Sequence, residues 1–343
     1  MLGMSRKIIC LIIIIFHTPI AIYGQSDRYF MLNNIKARPL AMGGAFISIA
    51  DDLAAAAYNP AAYLLDQLEE ARRWRFFVNP ISPFVGGIEN QELFQGNGPT
   101  FDDFLLSVSL LVKSISFRFN SFQLGIVLGE ESLYHLQEFD HSSVFNVKGF
   151  RQNHYHTIVG RLQLAEKVSM GGAANFLFSS SQNDPFESNR EFALSYGILL
   201  RPEKGLSIGV SFVNLPDSLQ QYRLTLERIV DESVNIGISY ELFTGTLFSI
   251  DVRNLGEEQQ NVIREFHFGL EQVLASQVAL RAGYFKESGQ QVFSWGLGLF
   301  NSNSLFDSTN KVNRNFYLNY AFVYEKSPLA NNRWHFLSCF IKI

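Results

Sequence analysis

From Trp74 to the C-terminus, apolar residues alternate with small or polar ones in segments of roughly ten residues, the period of a strand whose two faces meet different surroundings. Leu206, Ile208, Val210 and Phe212 share one face, and Ser207, Gly209 and Ser211 share the other. Val234, Ile236, Ile238, Tyr240 and Leu242 alternate in the same way with Asn235, Gly237, Ser239 and Glu241. The rhythm returns at 122–128, 192–200, 293–299 and 316–324, each time with aromatic residues on the apolar face. No helical period persists after residue 75.

Short turn-forming pairs punctuate these strands: Asn120-Ser121, Ala165-Glu166, Pro202-Glu203-Lys204, Thr244-Gly245, Ala275-Ser276 and Ser288-Gly289. Longer polar connections at 130–142, 179–189 and 301–313 alternate with some of them, so the pattern predicts tight turns at one end of the sheet and loops at the other. The alternation changes phase at Lys113-Ser114, which predicts a bulge or an extra turn there.

Composition decides what the apolar face meets. Charged residues are 17% of the chain, and there are 32 Phe, 13 Tyr and 3 Trp, so large apolar side chains outnumber what a soluble core of this strand pattern needs. No repeat of blade length returns, which argues against a propeller. In lipid every backbone donor must be paired internally, so a many-stranded chain crosses only as a closed barrel, apolar outside and polar inside. The pattern therefore predicts an all-β fold: a single transmembrane antiparallel β-barrel of about 14 strands. Trp74, Tyr155, Tyr240, Tyr284, Tyr324 and Trp334 lie near strand ends and fit interfacial girdles. A net charge of -4 without a Lys/Arg cluster leaves no footprint for nucleic acid.

The N-terminus has the form of an export signal. Arg6 and Lys7 precede a nine-residue apolar run, Ile8 to Phe16, which is too short to span a hydrocarbon core of about 30 Å. Cleavage after Gly24 divides the chain into a signal peptide (1–24), an N-terminal segment (25–73) and the barrel (74–343). It also removes Cys10, leaving Cys339 and no intramolecular disulfide.

The segment "ARPLAMGGAFISIADDLAAAAYNPAAYLL", from Ala37 to Leu65, is too irregular for one helix and too rich in alanine for a strand. It lacks the glycine spacing of a nucleotide loop, and adjacent Asp51 and Asp52 do not have the spacing of a cation loop, so neither cofactor nor metal is expected. His154 and His156 share a strand face without a third ligand or a base, and their expected place is a polar rim. No activated nucleophile appears, so catalysis is not expected and an outer-membrane hydrolase ranks last among the functions weighed.

Arg38-Pro39-Leu40-Ala41-Met42-Gly43-Gly44-Ala45-Phe46, then Ala50-Asp51-Asp52, then Tyr58-Asn59-Pro60-Ala61-Ala62, resembles the N-terminal signature of the FadL-like outer-membrane barrels. That superfamily includes long-chain fatty-acid and aromatic-hydrocarbon transporters and the PorV/PorQ proteins of type IX secretion, and the spelling here is closer to the PorV/PorQ style. The resemblance implies a bacterial outer-membrane barrel whose N-terminal segment forms a luminal hatch. Gly43 and Gly44 would allow close approach to the wall, Asp51 and Asp52 would bond luminal donors, and Asn59-Pro60 would turn the chain toward the first strand. Arg161, Arg253 and Arg281 fall on polar faces and are candidate luminal partners. The inferred inner faces are dominated by small residues such as Gly125, Gly129, Ser169, Gly171, Ala173, Gly209, Gly237, Gly296 and Gly298, leaving room for a plug.

Two functions fit this expectation. One is passage of hydrophobic small molecules such as long-chain fatty acids; the other is a PorV/PorQ-like role binding a secreted or surface protein. The remaining expected partners are membrane lipid and the barrel-assembly machinery, which reads a C-terminal strand such as "RWHFLSCFIKI". The terminal Ile343 departs from the usual final aromatic of such strands.

Overall fold

The structure is a computed structural model that describes residues 26–31, 35–64, 73–81, 83, 108–131, 153–180, 188–214, 233–243, 245–255, 264–274, 277–287, 290–300, 316–326 and 331–343. The first strand, β1 (Ser26–Met31), precedes the opening segment, which holds two short helices, α1 (Ala37–Ala41) and α2 (Ala55–Tyr58), and a 3-10 turn at Pro60–Ala62. The wall follows as β2 (Trp74–Val78), β3 (Val112–Phe119), β4 (Phe122–Glu131), β5 (Asn153–Ala165), β6 (Val168–Ser180), β7 (Ser188–Leu200) and β8 (Leu206–Asn214). It continues through β9 (Ser233–Phe243), β10 (Thr246–Arg253), β11 (Glu265–Leu274), β12 (Val278–Glu287), β13 (Gln290–Phe300), β14 (Phe316–Lys326) and β15 (Asn331–Lys342).

Each strand from β2 to β15 pairs antiparallel with its sequence neighbour, and β15 returns to β2 to close a barrel of 14 strands. The alternation has the expected sense. Phe192, Ile198, Ile238, Phe268, Leu270, Phe293 and Trp295 are exposed on the outside, while Ser195, Ser239, Gly269, Ser294 and Gly296 are buried within. An exposed belt of this kind is unfavourable in water and favourable against hydrocarbon, because apolar area is what each medium discriminates.

Phase changes in the sequence mark irregularities in the wall. In the β2–β3 ladder Phe77 pairs with Ser114 and Val78 with Val112, so Lys113 is the extra residue of a bulge and it faces inward together with Ser114. A second break falls between Val127 and Glu130 of β4, where Gly129 has φ 53°. It turns Leu128 inward, out of the face it shares with Phe122, Leu124 and Ile126 by sequence alone.

Several expectations change. Tyr155 and Trp334 are buried on the inner face and belong to no girdle, whereas Trp74 and Tyr240 point outward. His154 and His156 are likewise buried, their rings 5.2 Å apart, and His154 stacks on Phe178; they lie on the inner face near the loop end of β5. The inner face also carries more charge than its small residues imply, including Arg75, Lys113, Glu130, Asp251, Glu265, Glu271 and Glu325.

The turn at Asn120-Ser121 stands as expected, the one at Ala165-Glu166 shifts to Glu166-Lys167, and 201–205 close the β7–β8 hairpin. Strand directions place the β13–β14 connection at the turn end and the β12–β13 connection at the loop end, the reverse of the simple alternation. Ala275-Ser276, Ser288-Gly289, Thr244, most of the longer connections and the signal peptide lie outside the described residues.

One element has no counterpart in the pattern. β1 lies parallel to β15, with Ser26 opposite Asn331 and Met31 opposite Phe336. It covers the part of β15 that the five-residue β2 does not reach.

Candidate functional site

Residues 35–64 lie against the inner face of the barrel and are almost wholly buried. Polarity alone does not place a segment there. Its apolar residues make a core of their own, with Ile35, Met42, Phe46, Ile49, Leu53, Tyr58, Tyr63 and Leu64 packed on Phe77, Val127, Val159 and Phe340 of the wall. Ala37, Leu40 and Ala41 of α1 meet Phe285, Val292, Val323, Trp334 and Phe336. Small residues on both sides set the approach.

Gly43 and Gly44 have φ of 63° and 75°, a left-handed conformation that glycine adopts without steric penalty. A Cβ on Gly43 would stand 2.6 Å from the Tyr284 nitrogen and 2.8 Å from the Phe268 oxygen, so backbone meets backbone here. The Gly43 N–H donates to Ser294 Oγ at 3.0 Å, and that hydroxyl donates to Ala41 O at 3.2 Å. His267 Nδ1 donates to Gly43 O at 2.6 Å, and Arg253 Nη2 donates to Gly44 O. Met42 itself fills the space that Gly269 leaves open.

Arg38 is the charge centre. Its Nε and Nη2 donate to the two Glu271 oxygens, each at 2.8 Å, while Nη1 reaches Asp51 Oδ1 at 2.6 Å and Asp52 Oδ2 at 3.3 Å. Across the β11–β12 ladder Arg281 faces Glu271, donating from Nε at 2.6 Å, and its Nη1 reaches Asn319 Oδ1 at 2.9 Å. Asp51–Arg38–Glu271–Arg281 is therefore a continuous run of alternating charge with little exposure to solvent. Burial lowers the Arg38 pKa, but Asp51, Glu271 and Asp52 together outweigh it and hold the guanidinium well above its ordinary value. Burial drives the Asp52 carboxyl upward, against the pull of Arg38 and of the Ala54 N–H bonded to Asp52 Oδ1 at 2.9 Å. Asp51 and Glu271 are the firm partners of Arg38, and Asp52 is the looser one.

Further along, Asp251 Oδ2 accepts the N–H groups of Phe46 at 2.7 Å and Ile47 at 3.1 Å. Asn59 is fully buried: its Nδ2 donates to Ile47 O at 2.9 Å and to Ile198 O at 3.2 Å, while its Oδ1 accepts the Ala61 N–H at 3.0 Å. Pro60 sits at the first position of the 3-10 turn, where the missing N–H costs nothing, and Ser169 Oγ donates to Ala61 O at 2.8 Å. Tyr63 OH lies 3.3 Å from Ser114 Oγ, and burial pushes its phenol up to about 12. At the start of the segment the Ile35 N–H donates to Glu130 Oε2 at 3.0 Å, and Glu130 pairs with Lys113 at 2.5 Å. Two of the wall's register breaks, at Lys113 and between Val127 and Glu130, therefore sit where it ties to the segment.

Of the residues singled out by sequence, Arg38, Asp51 and Asp52 come together, and Arg281 joins them through Glu271. Asp51 and Asp52 occupy a bend, not a strand, so neighbouring side chains reach the same guanidinium. Pro39 lies within α1 and is buried. Arg253 binds the segment's backbone, whereas Arg161 donates to Gln123 of the wall at 2.9 Å. Glu271, Asp251, His267, Ser294 and Glu130 are contacts the sequence reading missed. Glu271 was one register step from being legible: a two-residue turn at Ala275-Ser276 would set it opposite Leu280, whereas the observed ladder sets it opposite Arg281. Among the described residues no group of three His, Cys, Asp or Glu side chains converges to hold a metal.

The chain is a closed barrel with its opening segment packed inside. No protein-family model and no curated protein matches it in sequence. Among solved structures it is similar to the toluene transporter TbuX of Ralstonia pickettii, at 11% identity and TM-score 0.49, over 90% of this chain and 97% of that one. It is also similar to the toluene transporter TodX of Pseudomonas putida, at 11% identity and TM-score 0.47, over 92% and 98%. A mutant porin of Rh. blastica covers 68% of the barrel chain and 77% of its own, at 8% identity and TM-score 0.36.

Proposed function

We propose that the barrel resides in the bacterial outer membrane and mediates passage of hydrophobic small molecules, with long-chain fatty acids as the substrate class to test first. The observation that carries this reading is the content of the lumen. An open water-filled channel needs a hydrated polar bore, whereas this lumen holds an apolar-cored segment tied to the wall by buried charges. The likeness of the segment's motif to the FadL-like signature supports the same class. A non-enzymatic role accords with the lack of an activated nucleophile in the sequence.

The test is uptake of a labelled long-chain fatty acid by liposomes containing the purified barrel. Uptake should depend on the barrel and fall when a disulfide ties the internal segment to the wall. The second reading, a PorV/PorQ-like component that binds a secreted or surface protein, draws on the closer spelling of the motif and on the firmness of the Arg38–Glu271 tie. No uptake, together with co-purification of a secreted C-terminal domain, would replace the first reading by the second.

A further inference from the structure

The two edges of β15 are finished differently. Toward β14 it pairs over its length, from Lys326 opposite Asn331 to Phe316 opposite Ile341. Toward β2 it pairs only at Ile341 and Lys342, with Phe76 and Ile343 exchanging backbone bonds just beyond. Among the described residues, the six from Asn331 to Phe336 on that edge are covered by β1 alone. At membrane depth an uncovered edge would leave backbone donors and acceptors unpaired, so something must lie there.

β1 is a weakly committed occupant. It pairs parallel, the slightly less stable arrangement per residue, and among the described strands it is bonded to β15 and to no other. Only residues 32–34 separate it in sequence from Ile35, which is tied to Glu130. The internal segment does not hang from β1, because its anchors are Glu130, Asp251, Glu271 and Ser294. The acceptor edge is also held from behind: Trp334 and Phe336 pack under α1, Trp334 Nε1 donates to Glu325 Oε2 at 3.4 Å, and Asn332 Nδ2 donates to the same oxygen at 3.0 Å. Removing β1 would leave a preformed edge whose loop-end residues, Asn331, Asn332 and Arg333, are partly exposed.

We propose that the Asn331-to-Phe336 edge of β15 is a strand-acceptor site for an extended polypeptide, filled in cis by β1 and open to exchange for a segment of a second chain. Recognition is by backbone pairing, which supplies affinity with little demand on sequence, and the tethered β1 acts as a competitor of high effective concentration. The partner is therefore a protein with an extended, unpaired stretch near the loop end of the barrel. A small molecule does not satisfy this edge. The inference does not depend on what, if anything, the lumen carries.

The test uses the full mature chain with Cys339→Ser and one new cysteine, Asn332→Cys, folded to its heat-modifiable form in detergent. The probe is a synthetic peptide of residues 25–31 carrying D27C, whose cysteine falls opposite position 332 in the parallel register. Disulfide formation should saturate with peptide and run roughly tenfold faster at Asn332→Cys than at Ile341→Cys, where β2 already holds the edge. Backbone N-methylation of the peptide should abolish the difference, and deletion of residues 26–31 should raise the rate further. Equal rates at 332 and 341, or equal rates for the N-methylated peptide, would overturn the proposal. Should the deleted chain fail to fold, the full-length comparison decides alone.

Discussion

The wall is built in two ways. Strands β10 to β13 face the internal segment through a dense set of polar ties from Asp251, Arg253, His267, Glu271 and Ser294, and the ladders of β11 with β12 and of β12 with β13 are long and regular. The sector around β15, β1 and β2 closes the barrel with short pairings and a borrowed parallel strand. A closed sheet therefore need not be uniformly closed: β11 to β13 pair without a break, and compromise lies where the first and last strands meet.

Substitutions should separate the two sectors. Glu271→Gln removes the charge between Arg38 and Arg281, leaving Arg38 to Asp51 and Asp52 and Arg281 with Asn319, and about 3–5 kcal/mol of stability should be lost, read as a lower urea midpoint in lipid vesicles. Gly283→Val drives a side chain into the Met42-Gly43 backbone, and overpacking of this kind costs about 1–3 kcal/mol, with greater protease access to the internal segment as a second readout. Ser294→Ala leaves the Gly43 N–H and Ala41 O without their hydroxyl partner, a loss of about 1 kcal/mol on the same assay. Deletion of residues 26–31 should change protease access to the internal segment least, because the segment's anchors lie elsewhere, while speeding hydrogen exchange along the Asn331-to-Phe336 edge. A deletion that loosens the internal segment as much as Glu271→Gln would erase the distinction between the sectors.

The outward face was legible because lipid imposes one rule on every strand, and Leu206–Phe212 or Val234–Leu242 obey it without reference to anything else. The phase change at Lys113 was legible for the same reason, since a bulge shifts a period of two by one residue. Interior partners are harder to read. Arg38 and the aspartates carry their chemistry openly, but Glu271 becomes visible only after a hairpin register is assumed. The parallel pairing of β1 with β15 left no signal, because six residues of weak alternation do not name a partner some 300 positions away. Tyr155 and Trp334 misled because residue type alone does not say which face of a strand an aromatic occupies.

The tie from Arg38 to Glu271 spans 233 residues of sequence, and that from Gly43 to Ser294 spans 251. Contacts of such separation form late, since the intervening chain must first be brought together. The opening segment is therefore seated in full only when strands from both halves of the wall are present: Val127 and Val159 cover part of its apolar surface early in the chain, but Phe285, Val292 and Phe336, which cover α1, come from the last strands.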